Sequence, residues 1–344
     1  MKSRLFELDA LRGIAAMMVV LYHYTTRYNE LYTHQVELPF AFDIGKYGVQ
    51  LFFMISGFVI FLTLNKTKYT QDFIASRFSR LFPAYWVAIL LTFTIVSIFS
   101  LPGRETEASE MLLNLTMLQK WFYVKNVDGV YWTLAYELSF YSIMVVLFAT
   151  GIIKRIELVC VVWLGLMTAA WSVENILGIH IPNLVKMTLL LEYGNLFIAG
   201  IIFYKITKNE KIYHYLIIFY ALFLEYLWHG QLAFLVSVYF LVFMLFVKGK
   251  LGFIAKRPLI FLGSISYSLY LIHQNIGYVI IRGLYEANIS MPSVIILTPV
   301  LVSMFIATVM YKTVERPGLI FIRGAWKQSM FYRRMIAKED RETD

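Results

Sequence analysis

Apolar runs of membrane-helix length recur from one end of this sequence to the other, and that recurrence limits the fold more than any other feature. A helix needs roughly 20 residues to cross about 30 Å of hydrocarbon. Candidate runs lie at residues 8–26, 47–64, 81–101, 132–150, 157–172, 188–204, 214–228, 232–247, 260–281 and 293–311. Several are shorter than that length, so their ends are loose by a few residues, and the pair around His229-Gly230-Gln231 reads as a tight hairpin or as one misdivided segment. A soluble domain of this length would need a charged surface, yet 15% of the residues are charged against about 25% in typical soluble chains. The expected fold is therefore all-α, a polytopic membrane protein with about ten transmembrane helices over residues 1–320 and a basic cytoplasmic tail over 321–344.

Basic residues orient the chain, because cytoplasmic loops keep an excess of Lys and Arg. With the N-terminus inside, the inner segments collect Lys66, Lys68, Arg77, Arg80, Lys154, Arg155, Lys205, Lys208, Lys211, Lys248, Lys250, Lys256 and Arg257. Lys2, Arg4, Arg12 and the tail residues Lys312, Arg316, Arg323, Lys327, Arg333, Arg334, Lys338 and Arg341 join them. The outer segments keep Arg27, Lys46, Arg104, Lys120, Lys125, Lys186 and Arg282. Both termini are expected in the cytoplasm. The longest outer segment, 102–131, contains MLLNLTMLQKWFY, which suits a short interfacial or re-entrant helix.

Several function classes drop out. The net charge of +9 follows the inner loops rather than a basic stripe with stacking aromatics, so nucleic acid is not an expected partner. Cys160 is the single cysteine, which excludes a disulfide framework or a cysteine-rich metal site. The six histidines form no HExxH pattern, no phosphate-binding glycine loop occurs, and no metal is expected. The basic start followed by an apolar stretch reads as an uncleaved first helix rather than a signal peptide.

Charged and polar groups inside apolar runs are costly unless they face protein or water, so they mark candidate sites. Arg12 and His23 are eleven residues apart in the first run. On a regular helix that spacing brings both side chains to one face, about 16 Å apart along the axis. His23 reads either as a hydrogen-bonded packing residue or as a general base near neutral pH. Glu137, in VYWTLAYELSFY, needs a partner or a proton; it can hold a neighbouring helix or steady the His23 imidazole. Arg77 and Arg80 share a helix face and suit a phosphate, although inner-face decoration explains them equally. Pro83 after them fits a break between an interfacial turn and the next span. The run FLGSISYSLYLIHQNIGY gives one helix a polar side, with His273 open to a cavity, an acceptor or a neighbouring helix. Ser56-Gly57 offers a point of close helix approach or a local break.

These segments together resemble the acyltransferase-3 family of membrane acyltransferases. LDALRGIAAMMVVLYHY is similar to its first-helix signature, FFMISGFVI to its second-helix motif, SRFSRLFPAYW to its arginine pair and YWTLAYELSFY to its tryptophan–glutamate helix. GSISYSLYLIH and VMYKTVERP complete the set in order, over roughly residues 7–317. The resemblance implies transfer of an acyl group, often acetyl from cytoplasmic acetyl-CoA, to a hydroxyl of an envelope or exported polysaccharide at a bacterial inner membrane. It implies His23, Glu137 and Arg12 as the catalytic group, with Arg77, Arg80 and Arg12 binding the cofactor. Expected partners are membrane lipid, acyl-CoA and a glycan or lipid-linked saccharide. Direct transfer and an acyl-histidine relay both fit, and oligomeric state leaves no mark. A secondary transporter of a glycan or small metabolite is the competing class, although no internal repeat of the kind many transporters carry is evident.

Overall fold

A computed structural model describes residues 5–230, 233–329 and 332. Among the described residues the chain forms fourteen α-helices and no strand. The first half comprises α1 (Phe6–Tyr22), α2 (Tyr28–Tyr32), α3 (Gly48–Leu64), α4 (Thr70–Phe99), α5 (Ala108–Asn114), α6 (Trp132–Ala149) and α7 (Ile156–Asn175). The second comprises α8 (Asn183–Thr188), α9 (Gly194–Lys208), α10 (Ile212–His229), α11 (Ala233–Val247), α12 (Arg257–Glu286), α13 (Pro292–Met310) and α14 (Arg316–Gln328). The short α5 takes only the first four residues, 111–114, of the stretch MLLNLTMLQKWFY expected to form an interfacial or re-entrant helix; residues 115–123 turn instead, with positive φ at Met117 and Tyr123.

Among the described residues five helical stretches are long and apolar enough to cross a membrane: Asp43–Leu64, Thr70–Phe99, Gly129–Ala149, Ile152–Asn175 and Pro292–Gln328. The expectation of about ten is corrected to a polytopic all-α protein with these five. The remaining runs are short or polar. α9 and α11 have 15 residues each, and the 17-residue α1 carries Glu7, Asp9 and Arg12. α12 is 30 residues long but contains His273, Gln274, Asn275 and Arg282. Residues 1–4, 231, 232, 330, 331 and 333–344, which include Lys2, Arg4, Gln231 of the expected hairpin and the basic residues from Arg333 onward, lie outside the described residues. The 320/321 boundary proposed for the tail falls within α14.

Small residues set the helix crossings. Between apolar helices in lipid there is little hydrophobic drive, so association depends on close van der Waals approach. α1 and α12 run parallel in one register, with Gly13 against Leu259 and Gly263, and Gly263 against the Asp9 backbone. A Cβ on Gly13 would sit 2.7 Å from the Leu259 carbonyl oxygen, so no larger residue fits there without moving a helix. α3 and α9 also run parallel: Gly57 lies on the Phe197 backbone, and a Cβ on Gly200 would be 2.7 Å from Phe58 N. Of the two outcomes open at Ser56-Gly57, close approach is the one observed, and α3 continues unbroken.

Pro83 does not break α4, which runs from Thr70 to Phe99 with the proline inside it. The expectation of a break fails because one missing N–H costs a single helical hydrogen bond, and the ring is packed: a Cβ on Gly318 of α14 would lie 2.8 Å from Pro83 Cβ. α14 is fixed to α4 by Trp326 Nε1 donating to Asp72 (2.7 Å) and Arg323 donating to Ser76 (2.8 Å).

Candidate functional site

The helix that carries His23 changes pitch at that residue. α1 ends at Tyr22 and the chain continues as a π turn, His23–Arg27. Such widened turns rotate the side chains that follow and recur at functional sites. Tyr24 then points into the core, where its hydroxyl donates to the His273 carbonyl (2.8 Å) and meets Ser303 Oγ (2.7 Å). Gly277 makes room for the Tyr24 ring. One buried phenol therefore ties the π turn to α12 and α13.

The register of α1 on α12 places His23 beside His273. His23 Nδ1 is 2.8 Å from the Val19 carbonyl and 3.2 Å from His273 Nε2. His273 Nδ1 is 2.8 Å from the Tyr270 carbonyl and 3.2 Å from that of Leu269. Carbonyls accept only, so both Nδ1 atoms carry hydrogen, and His273 Nε2 accepts from His23. That assignment leaves His23 Nε2 as a lone pair, with no protein hydrogen-bond partner among the described residues.

His23 lines a cavity of about 440 Å³ together with Arg27, Lys46, Arg104, Lys120, Asn126, Trp132, Tyr270 and Gln274. Beneath it a smaller cavity of about 130 Å³ gathers Arg12, Arg77, Arg80, Glu137, Ser56, Tyr141 and Tyr267. Val49 and Tyr270 belong to both walls. A third, of about 840 Å³, meets the second at Arg12 and Val59 and continues past Leu5, Glu7, Lys66, Lys208 and Gly249. Lys66 also borders a basic hollow with Lys68, Arg323 and Lys327. The start of α1, the α3–α4 turn, the end of α9 and α14 thus share one face of the bundle, opposite the His23 cavity.

The arginine-lined cavity has its own charge balance. Arg80 forms an ion pair with Glu315, whose other oxygen accepts from Ser268 Oγ (2.7 Å). The Arg80 guanidinium lies 5.3 Å over the Tyr267 ring. Glu137 accepts from Ser56 Oγ (3.2 Å) and from Tyr141 Oη. Arg77 lies 5.9 Å over that Tyr141 ring, and its buried Nε has no partner. An unsatisfied buried donor is costly in a finished structure, so this set of arginines suits an anion. Among the described residues no cluster of three His, Cys, Asp or Glu is placed to hold a metal.

The structure brings Arg12, Arg77, Arg80 and Glu137 into one cavity and puts His23 in the next. The hydrogen bonds of Glu137 go to Ser56 and Tyr141, and the contacts fixing the His23 tautomer come from Val19 and His273. Sequence reasoning left the role of His273 open and missed Glu315 as the partner of Arg80. It also passed over Arg27, Lys46, Arg104 and Lys120, although a signal was present: these are four of the basic residues assigned to outer segments against the charge rule.

The chain matches an acyltransferase domain family over residues 5–312. It is 30% identical over 120 residues to the exopolysaccharide production protein ExoZ of Rhizobium meliloti, covering 30% of this chain and 34% of that protein. It is 26% identical over 282 residues to a putative acetyltransferase, ORF330, of Acidianus two-tailed virus, covering 76% of this chain and 80% of that one. Similarity to O-acetyltransferase OatA of Staphylococcus aureus is 24% over 360 residues, covering 90% of this chain and 56% of OatA. The chain thus spans about a third of ExoZ and a little over half of OatA. No solved structure matches it. With the family match running through nearly all of the helical bundle, the chain belongs to the acyltransferase-3 family of membrane acyltransferases.

Proposed function

We propose that this protein is a membrane O-acyltransferase that moves acetyl from cytoplasmic acetyl-CoA to a hydroxyl of an envelope or exported polysaccharide. The observation that carries this reading is the run of adjoining cavities, from the face with Lys66 and Lys208, past Arg12, Arg77 and Arg80, to His23. The names of ExoZ and OatA support a polysaccharide hydroxyl as acceptor. Nothing in the family match or the relatives supports transport.

The lysine-rich face is assigned to the cytoplasm of a bacterial inner membrane because basic loops stay inside, and it would carry both chain termini. Arg77 and Arg80, with Arg12, would hold the anionic end of the acyl donor; guanidinium forks match phosphate oxygens. The donor supplies an acyl group activated as a thioester. His23 Nε2 removes the proton of the acceptor hydroxyl as its oxygen bonds the acyl carbon, and the carbon–sulfur bond breaks. His23 then returns that proton to the departing thiolate. Val19 and His273 hold the imidazole in the tautomer this requires. Arg12 stands where the lower cavities meet and would stabilise charge along the path. Glu137, bonded to Ser56 and Tyr141, would balance the arginines and assist catalysis through them rather than through His23.

The test is mass spectrometry of envelope polysaccharides from cells carrying the native chain, His23→Ala at matched membrane level, or no gene. Loss of an acetyl-sized mass in both deficient strains supports the reading. Retention in the variant removes His23 from the chemistry, and no difference among the three strains refutes polysaccharide acetylation.

A further inference from the structure

The His23 cavity has an electrostatic character that acyl transfer alone does not require. Arg27 comes from the π turn after α1, Lys46 from the turn before α3, Arg104 from the loop after α4 and Lys120 from the segment before α6. Four separate stretches of chain therefore bring cations to one cavity. Arg27 is paired with Glu30 at 2.6 Å. Among the described residues no carboxylate forms an ion pair with Lys46, Arg104 or Lys120. Gathering four cations of which three lack an ion pair costs energy in the empty protein, and a walled cleft focuses their field outward onto whatever enters. Lys46 is exposed, and Arg104, which also meets the Tyr32 side chain, and Lys120 are half-buried.

The remaining wall suits a sugar. Asn126 and the buried Gln274 offer amides, and Gln274 lies close over Gly129, where a Cβ would be 2.6 Å from its Oε1. Trp132 and Tyr22 add aromatic faces. Amides and aromatic rings match hydroxyls and the apolar face of a pyranose, while the cations match something negatively charged.

We propose that the acceptor is an acidic glycan, whose carboxylate or phosphate is held by Lys46, Arg104 and Lys120 while a nearby hydroxyl reaches His23 Nε2. This inference rests on the acyl-transfer reading and narrows its substrate class. A carboxylate and a phosphodiester present the same anionic oxygens, so the experiment separates them.

The protein, purified whole into lipid nanodiscs, is given acetyl-CoA and de-O-acetylated envelope glycan from cells lacking the gene. The glycan is used untreated, after chemical reduction of its carboxyls, or after removal of its phosphodiesters with cold hydrogen fluoride. The untreated glycan is acetylated, and one of the two treatments lowers kcat/KM about tenfold or more, naming the anion. The double variant Lys46→Gln, Lys120→Gln raises the KM for untreated glycan about tenfold, with the KM for acetyl-CoA unchanged. The Arg pair at the same positions restores it, which separates charge from folding. Lys125→Gln, where the ammonium bonds the Glu105 carbonyl (2.8 Å) outside this cavity, changes neither constant. Equal acetylation of untreated and both neutralised glycans overturns the proposal, as does a variant effect on the KM for acetyl-CoA. Absence of acetyl transfer to every form by the native protein overturns the acyl-transfer reading and this inference together.

Discussion

His23 Nδ1 lies 3.2 Å from His273 Nε2, and the carbonyls of Val19, Leu269 and Tyr270 fix which nitrogen of each ring carries hydrogen. The pair is built by a helix register rather than by a motif, since residues 250 apart meet because α1 and α12 run parallel. His23→Ala should abolish transfer. His273→Ala should leave the protein folded and lower kcat by about a hundredfold, within the range a misplaced general base costs. His273→Gln, whose side-chain oxygen can still accept from His23, should recover part of the rate. Equal activity of His273→Ala and native protein, in steady-state assays of thiol release, would remove His273 from the positioning of the base.

Arg77 presents a buried Nε with no partner to the cavity it shares with Arg12 and Arg80. If that donor meets the acyl donor's charge, Arg77→Ala should raise the KM for acetyl-CoA about tenfold or more, a hydrogen bond to a charged group contributing about 1.5–3 kcal/mol. The KM for the glycan should stay where it is. Initial-rate measurements varying each substrate separate the two.

Arg80 and Glu315 form a pair in which the Glu315 side chain is 1% exposed and the Arg80 side chain 22%. Removing one member of such a pair strands the other, at a cost of about 3–5 kcal/mol when both are fully buried and less here. Glu315→Gln should lower the Tm in detergent by several degrees and reduce activity with it. A melting curve that coincides with the native one would show that the pair contributes nothing to the fold.

Asp128 sits immediately before the span Gly129–Ala149, where its two oxygens accept from Val130 N (3.2 Å) and Asn275 N (3.1 Å). Burial pushes its carboxyl up to about 7 against the opposing pull of those N–H groups and Arg104. A raised carboxyl pKa means that the fold favours the protonated form. Stability is therefore full below the unfolded value of about 3.8, falls as pH rises, and levels off above about 7. Asp128→Asn should flatten this decline, its advantage over the native protein growing from pH 5 to pH 8 toward an upper bound of about 4 kcal/mol. Thermal melts across that range check it; parallel curves for the two proteins would rule out the shift.

Gly57 and Gly200 let α3 and α9 touch backbone to backbone. Leucine at either position should separate the helices, costing roughly 1–3 kcal/mol or more from overpacking. Lower yield of folded protein by size-exclusion chromatography, with Gly165→Leu at an open position as control, measures it.

The sequence by itself determined the fold class, the family and the residue types worth watching. Apolar length and Lys/Arg placement are local properties, and lipid enforces them residue by residue. Arg12 and Glu137 stood out as charges inside apolar runs, whereas Arg77 and Arg80, just before the 81–101 run, read equally well as inner-face decoration, and only the packed helices bring all four into one cavity. The number of long apolar helices was less legible: α1 and α12 are shielded by neighbours and tolerate polar residues that a hydropathy count penalises.

Only the tertiary structure decided which charge meets which partner. The register of α1 on α12 makes His273 and not Glu137 the partner of His23, and the π turn that starts there turns Tyr24 into the core. Glu315 reaches Arg80 because α14 folds back onto α4. Arg27, Lys46, Arg104 and Lys120 looked like scattered exceptions to the charge rule and became one cavity once their loops were placed. Pairings of this kind depend on helix crossings set by the small contact faces of Gly13, Gly57, Gly200 and Gly263, and a crossing is a property of two surfaces that neither segment encodes alone.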